Sequence, residues 1–387
     1  MNVEEFIIRS YEGHSDRVQV EDLEKRCKVG KSESVLDTMG DPICRIRNSP
    51  MYMMLVAEQN NELVGVIQGS IKMVILNSHE PPKDLVKVGY VLGLRVAPHY
   101  RRKGIASSLV QRLEEWFSSN GVEYAYVATE KENHASITLF MDKFCYTKFR
   151  TPAILINPVN YHHSFRISSN IEIARVNIEK AESLYRRFMG STEFFPSDIE
   201  NILRNNLSLG TWVAYFKEDN NSFGPDGKVP NNWAMLSVWN SGEIFKLRLG
   251  KAPLSCLLFT KGWSLIDKML PCLKLPNLPD FFDPFGFYFM YGMYHEGPLS
   301  GKLVRGLCKF VHNMVAKSKD ENCKIIVTEV GGRDHDLIHH IPHQKLLSSP
   351  DLWCIKALKN ERTNTSHHQL TLTNAPSRSL FVDPREV

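Results

Sequence analysis

The spacing of apolar positions changes several times along the first 156 residues, and each change marks a boundary between predicted elements. Val20, Leu23 and Cys27 recur at helical spacing, which predicts a helix over 20–28 with those side chains on one face. Runs rich in β-branched and aromatic residues predict strands, and amphipathic stretches predict helices. The predicted strands are 6–9, 53–57, 63–71, 90–96, 124–129 and 153–156, and the predicted helices are 104–120 and 133–143.

The connections between these elements predict a mixed sheet. The polar turn 59–62 joins the second and third strands as an antiparallel hairpin. The helix 104–120 lies between strands 90–96 and 124–129, and a crossover of that size suits a parallel pair. The sequence therefore predicts an α/β fold whose sheet is antiparallel at first and parallel later, closed by strand 153–156.

A second series of elements follows a polar linker. Its predicted strands are 171–175, 212–216, 234–238, 287–291, 325–330 and 352–355, with helices at 178–188 and 302–316 and loops at 77–84 and 219–232. These patterns divide the chain into a domain at 1–158, a linker at 159–170, a second domain at 171–358 and a polar tail at 359–387. The tail ends in an apolar segment, Leu380–Val382, that could dock as a strand.

Composition excludes several classes of protein. Lys and Arg number 47 against 43 Asp and Glu, so the net charge of +4 gives no footprint for nucleic acid. Eight scattered cysteines without a CxxC pair predict neither a disulfide framework nor a zinc site. The apolar run 51–57 is too short to cross a membrane, and the N-terminus lacks the features of a signal peptide. We expect a soluble cytoplasmic or nuclear protein.

Four histidines, at 335, 339, 340 and 343, offer a metal cluster or a polar surface as alternatives. Pro342 would break the helix needed to align them, which favours the polar surface. No metal cofactor is therefore expected.

The stretch 94–106 carries the strongest chemical signal. A strand enters a tight turn and then a helix that starts with Gly104, Ile105 and Ala106. The first amides of a helix have no intrahelical partner, and small residues let a phosphate approach them closely. The basic run 101–103 adds positive charge. An ordinary strand–turn–helix with solvated basic residues is the alternative.

The same stretch resembles motif A of the GCN5-related N-acetyltransferase (GNAT) superfamily, (Gln/Arg)-x-x-Gly-x-(Gly/Ala), filled by Arg101, Gly104 and Ala106. Motif B of that superfamily, Asn-x-x-(Ala/Ser), matches Asn133 to Ser136 at the expected distance. The resemblance implies the acyl-CoA N-acyltransferase fold and acetyl-coenzyme A as co-substrate.

The resemblance also implies a role for each matched position. The backbone of Leu94 and Val96 would pair with the pantetheine arm, and the amide of Leu94 would stabilise the oxyanion. Asn133 would hydrogen-bond the pantetheine. The pyrophosphate would be bound at the basic turn and by the backbone amides that follow it, a set comprising Arg101, Arg102, Lys103, Gly104, Ile105, Ala106 and Ser107.

Three positions depart from the superfamily pattern. Phe140 stands where a tyrosine often acts as general acid, and Tyr90 stands where many members have a glutamate base. Glu130 is our candidate base, acting directly or through water, with a solvated loop acid as the alternative; Glu132 is nearby. Cys145, where a glycine is usual, is expected to be a packed small residue.

Segments outside the two motifs resemble the plant Hookless family of N-acetyltransferases over nearly the full length. They are 40–50, 191–196, 207–211, 284–286, 351–356 and 381–385. This resemblance implies a role in ethylene- and auxin-linked differential growth.

The second half resembles a degenerate copy of the first. A gapless pairing of 95–113 with 289–307 matches four residues and places Pro298 at Gly104 and Glu296 at Arg102. Proline removes an amide and glutamate repels phosphate, so this copy is predicted not to bind coenzyme A. The fold expected is two tandem GNAT-like domains.

These observations predict transfer of an acetyl group to a primary amine by direct attack in a ternary complex. The acceptor is left open among a protein lysine, a protein N-terminus and a small metabolite. The alternative is a coenzyme-A-binding regulator with little catalysis.

Overall fold

The structure is a computed structural model, and it describes residues 6–27, 36–76, 85–161, 163–218, 223, 228–249, 283–318, 323–332, 334–345, 347–358 and 379–387. The predicted loop 77–84, most of the predicted loop 219–232 and the tail segment 359–378 lie outside these residues.

The first half forms a mixed sheet with the predicted change of direction. Its strands are β1 (Ile7–Ser10), β2 (Leu36–Gly40), β3 (Met51–Gln59), β4 (Glu62–Ile75), β5 (Leu85–Val96), β6 (Tyr124–Glu130), β7 (Thr147–Arg150) and β8 (Ala153–Pro158). Its helices are α1 (Arg17–Arg26), α2 (Ile105–Ser119) and α3 (His134–Ile137), the last continued by a π-helical turn, Thr138–Lys143. β1, β3, β4 and β5 pair antiparallel in that order, and β5 pairs parallel with β6, which confirms the prediction.

The second half repeats this arrangement. Its strands are β9 (Ile171–Val176), β10 (Phe195–Pro196), β11 (Ser208–Phe216), β12 (Trp233–Asn240), β13 (Phe245–Leu249), β14 (Gly286–Glu296), β15 (Cys323–Val330) and β16 (Ser349–Ala357). Its helices are α4 (Ile178–Leu184), followed by a π-helical turn, then α5 (Ile199–Arg204), α6 (Ser300–Lys317) and α7 (His335–Ile338). β9, β11, β12 and β14 pair antiparallel, and β14 pairs parallel with β15. The tandem fold is therefore confirmed.

The two halves exchange their closing strands. β8 was expected to complete the first sheet, but it pairs antiparallel with β15 of the second. The position beside β6 is filled instead by β16, which arrives from the second half. The two sheets are thereby joined into one continuous sheet. A pattern of apolar residues predicts that a strand forms but not which strand it pairs with, so the error lay in the partner.

A bulge in each half fixes how the two copies correspond. The register shifts between β4 and β5 and again between β12 and β14, and a glycine with positive φ lies at each place, Gly93 at +64° and Gly292 at +58°. Leu109 and Leu303 occupy the same buried position on α2 and α6. The path from bulge glycine to this leucine is five residues shorter in the second half. The gapless pairing is thus correct for the helices and wrong for the strands.

Three apolar clusters hold the molecule together. One lies beneath α2 and a second beneath α6. The third fills the space between the halves and includes Tyr126, Trp239 and Phe381. The segment Leu380–Val382 is buried in this third cluster, and Leu380 forms a single β-bridge with Glu193. Burial of each such side chain contributes about 1.5–3 kcal/mol.

Candidate active site

The parallel strands β5 and β6 separate at one end of the first sheet. They pair from Val88 to Val91 and no further. Beyond this point the backbone of β5 still runs to Val96 and that of β6 to Glu130. Leu94 follows the bulge at Gly93, so its backbone groups lie where the two strands diverge. An extended ligand can pair with such an edge as a strand would.

The turn between β5 and α2 has the geometry that an anion site needs. Gly104 precedes the helix with a φ of +90°, and Arg102 also has a positive φ. A Cβ atom at Gly104 would meet nothing within 4 Å, so the glycine is required by its backbone conformation and not by crowding. Arg101, Arg102 and Lys103 are exposed beside it. The turn therefore presents free helix amides surrounded by positive charge.

Lys143 adds a cation that the sequence did not predict. Its Nζ donates a hydrogen bond to the Oγ of Ser107 on the first turn of α2, at 2.7 Å. The two residues are far apart in the chain, and their contact depends on how the π-helical turn packs beside α2. On the other side of the turn, Arg101 donates from Nε to the carbonyl of Val96 at 3.2 Å. That carbonyl is thus already bonded within the protein.

Asn133 performs a local task in this structure. Its Oδ1 accepts a hydrogen bond from the amide of Ser136 at 3.2 Å, which caps α3. The pantetheine contact implied by the resemblance remains a prediction.

Tyr90 is poorly suited to act as a base. Its side chain is 8% exposed and stacks on Tyr126 with ring centroids 4.8 Å apart. Burial raises the pKa of Tyr90 far above its ordinary value. The phenol therefore stays protonated.

Glu130 lies exposed at the end of β6, directly opposite Asp351 of β16. Phe140 is buried against Tyr146, and its phenyl ring has no proton to donate to the departing thiolate.

Cys145 is exposed with a φ of +59°, and the prediction of a packed residue was wrong. The left-handed backbone explains why a glycine suits this position.

The C-terminal segment brings charged residues to the same face as Tyr126. The Tyr126 hydroxyl bonds Glu386 at 2.5 Å, and Lys72 contacts Glu386 at 2.8 Å and Asp383 at 3.4 Å. Arg385 contacts Asp383 at 2.7 Å. In the sequence this segment stands out only through the Hookless resemblance, and no local pattern indicates its partners.

The part of the chain that the structure describes contains no group of three or more His, Cys, Asp or Glu side chains that could hold a metal. Nor does it contain a helix with the length and apolar character needed to span a membrane.

The splayed strands and the glycine-started helix define a GNAT-type acetyltransferase. The family model described as Acetyltransferase (GNAT) family matches residues 18–144. The chain is 44% identical to probable N-acetyltransferase HLS1 of Arabidopsis thaliana, covering 98% of this chain and 99% of that protein. It is 32% identical to acetyl transferase GW6a of Oryza sativa subsp. japonica, covering 98% and 97%.

The chain belongs to the Hookless family of acetyltransferases, within the GNAT superfamily. Its fold is similar to that of Saccharomyces cerevisiae N-myristoyltransferase, a structure with bound myristoyl-CoA. The TM-score is 0.56 at 10% identity, covering 91% of this chain and 79% of the other. Fold and family support a coenzyme A thioester as co-substrate.

Proposed function

We propose that this protein transfers an acetyl group from acetyl-coenzyme A to a primary amine, within a ternary complex. The observation that carries the proposal is the separation of β5 from β6 after Val91. Beyond it, β5 leads through the turn into α2, which is preceded by Gly104 with its positive φ. Such an arrangement offers the pantetheine a stretch of β5 that no longer pairs with β6, and it offers the pyrophosphate free amides.

In this proposal the pyrophosphate binds the backbone amides from Arg102 to Ser107, with the exposed basic side chains and Lys143 adding attraction. The pantetheine lies along β5 at Leu94 and Val96, and Asn133 contacts it from motif B. The thioester carbonyl then reaches the amide of Leu94, which stabilises negative charge in the transition state.

The amine must lose a proton as it attacks. Glu130 is the candidate base that the first half itself supplies, because it lies at the open end of the cleft. Tyr90 was the other candidate, and its burial argues against it. The acceptor in this proposal is a protein lysine, a protein N-terminus or a small metabolite. We also propose that the protein acts in the cytoplasm or the nucleus and has a role in hormone-linked growth.

A coenzyme-A-binding regulator with little catalysis is the second candidate. It is favoured by Phe140, which leaves no proton donor for the departing thiolate at the position where the superfamily often has one. Both candidates require the same cofactor site and differ only in turnover.

Two measurements on the full chain separate these functions. Calorimetric titration with acetyl-coenzyme A tests binding, and we expect one molecule per chain. Radiolabelled acetyl-coenzyme A is then incubated with a tryptic digest of plant protein, which offers lysine and N-terminal amines, and with a deproteinised extract. Binding followed by label transfer supports the acetyltransferase. Binding without transfer to either mixture favours the regulator, and no binding overturns both.

A further inference from the structure

Three carboxyl side chains lie along one end of the continuous sheet. Glu130 of β6 faces Asp351 of β16 as its partner in the antiparallel pair. Glu329 lies on β15 opposite Ile154 of β8, and Ile154 in turn lies opposite Ser349 of β16. The exchange of closing strands is what brings these carboxyl groups from the two halves together.

Glu329 and Trp353 leave polar atoms unpartnered at this place. Among the described residues, the Oε1 of Glu329 and the Nε1 of Trp353 are both buried without a hydrogen bond of normal geometry. The Trp353 indole nevertheless lies close enough to lower the pKa values of both Glu329 and Asp351. An unpaired buried polar atom is costly, and a catalytic role or a bound water molecule can account for it.

A small cavity lies beside Glu329. Its volume is about 20 Å³, and it is lined by Glu329, Gly292, Asp334 and the docked tail residue Phe381. A space of this size with polar groups in its wall can hold one water molecule. A water molecule at this place would lie next to Glu329.

Both carboxyl groups are half-buried, and their pKa values lie near neutral pH. Burial raises the pKa of Glu329 to about 8, and the negative charge of Asp351 adds to this effect. Burial also raises the pKa of Asp351 to about 7, and Glu130 adds to it across the strand pair. Glu386 of the tail also raises the pKa of Glu329, and Tyr90 of β5 lies within reach of both carboxyl groups.

The position of Tyr90 connects the pair to the cleft. Tyr90 occupies the place where many superfamily members carry the glutamate base, and Asp351, Glu329 and Glu386 are all near enough to raise its pKa. The second half therefore supplies carboxyl groups near Tyr90, a position at which the first half lacks the usual glutamate. Asp351 lies nearer the diverging strands, because β16 is the direct neighbour of β6.

We propose that Asp351, with Glu329 beside it, accepts the proton of the attacking amine. This inference rests on the proposed function. The nitrogen lone pair forms the bond to the acetyl carbon, an N–H proton passes through water to the Asp351 carboxylate, and the C–S bond breaks to release the thiolate of coenzyme A. The thiolate takes a proton from solvent, and Asp351 returns its proton through Glu130, which is exposed.

The test measures the rate of label transfer from acetyl-coenzyme A to the tryptic digest between pH 5.5 and 9. The wild-type rate should rise more steeply below about pH 7 than above it, because below pH 7 both the carboxylate and the acceptor amine must lose a proton, whereas above it only the amine must. Asp351→Asn should lower the rate by ~10²–10⁴-fold and remove this change of slope, with acetyl-coenzyme A affinity unchanged. Asp351→Glu should recover part of the rate.

Further variants assign the roles within the row. Glu329→Gln should lower the rate by about tenfold, and the double variant should be no slower than Asp351→Asn, because residues that act as one unit are not additive. Glu130→Gln should cost less than Asp351→Asn. Glu218→Gln, an exposed change in the turn after β11, is the matched control.

Two outcomes overturn different statements. A wild-type rate and pH profile in Asp351→Asn, or a larger loss in Glu130→Gln, would refute this inference and return the role to Glu130. Absence of transfer by the wild-type protein to both the tryptic digest and the deproteinised extract, with acetyl-coenzyme A still bound, would instead refute the proposed function.

Discussion

Lys72 offers a sharp test of how the C-terminal segment is held. Its side chain is 5% exposed, and its Nζ lies 2.8 Å from Glu386 and 3.4 Å from Asp383. Burial raises the pKa of Glu386, and Lys72 opposes that rise. Burial also opposes ionisation of Asp383, but Arg385 and Lys72 hold its pKa well below the ordinary value. Replacement of Lys72 by methionine keeps the chain length and removes the charge.

The expected cost follows from which partner is left alone. Asp383 keeps its contact with Arg385, whereas the side chain of Glu386 keeps, among the residues that the structure describes, the Tyr126 hydroxyl. Each contact with Lys72 is worth about 5 kcal/mol at an effective dielectric constant of ~20, offset by several kcal/mol of desolvation per ion. Breaking one partner of a buried pair typically costs about 3–5 kcal/mol, and we expect Lys72→Met to lower the free energy of unfolding by that amount at pH 8.

The loss should depend on pH in a definite direction. Without Lys72, the folded-state pKa of Glu386 rises further above its unfolded value of about 4.3, so folding takes up a proton. The stability of the variant then falls as pH rises from the unfolded-state pKa of Glu386 through its raised folded-state pKa. The loss of unfolding free energy relative to wild type should therefore be smaller at pH 5 than at pH 8.

Urea unfolding followed by tryptophan fluorescence measures the difference, with Lys148→Met on the exposed side of β7 as the control. Lys72→Met combined with Glu386→Gln should recover part of the loss, because no unpaired charge remains. A loss below about 1 kcal/mol, or a double variant less stable than the single one, would refute this reasoning.

Three further predictions concern the cofactor site and the tandem fold. Ala106→Glu should weaken acetyl-coenzyme A binding by about 10–100-fold by repelling phosphate, while Ser118→Glu near the other end of α2 should not; equal calorimetric affinities would move the site elsewhere. Titration should give one coenzyme A per chain. In the second half, β14 ends at Glu296 and α6 begins at Ser300, so the turn between them is too short to hold the phosphates. A stoichiometry of two would contradict this. A fragment ending at residue 160 should fail to fold as a soluble monomer, because it lacks β16 and exposes the edge of β6. A soluble fragment with full cofactor affinity would show that the exchange of β8 and β16 between the halves is dispensable.

Local patterns in the sequence determined most of the elements and the cofactor turn. Helical spacing predicted α2 and α6, and β-branched runs predicted the strands of both halves. The elements that the sequence pattern did not predict are short, such as α5 and β13, because too few residues repeat in them to define a period. Gly104 could be predicted to start an anion-binding turn, because the backbone conformation at the start of a helix depends mainly on residues close by in the sequence.

Tertiary structure alone decided the partners. The exchange of β8 and β16 could not be predicted, because alternation specifies that a strand is half-buried and leaves its neighbour open. The true correspondence of the two copies rests on the bulge at Gly292, which appears only in the pairing with β12.

The carboxyl row and the Lys72 network depend on the same long-range pairing. Glu329 and Asp351 look like ordinary strand carboxylates in the sequence, and their titration near neutral pH comes from burial between halves. Lys72 meets Glu386 across most of the chain. Sequence fixes which side chains can ionise, but desolvation and charge proximity are properties of the folded arrangement, and these decide which of them can act.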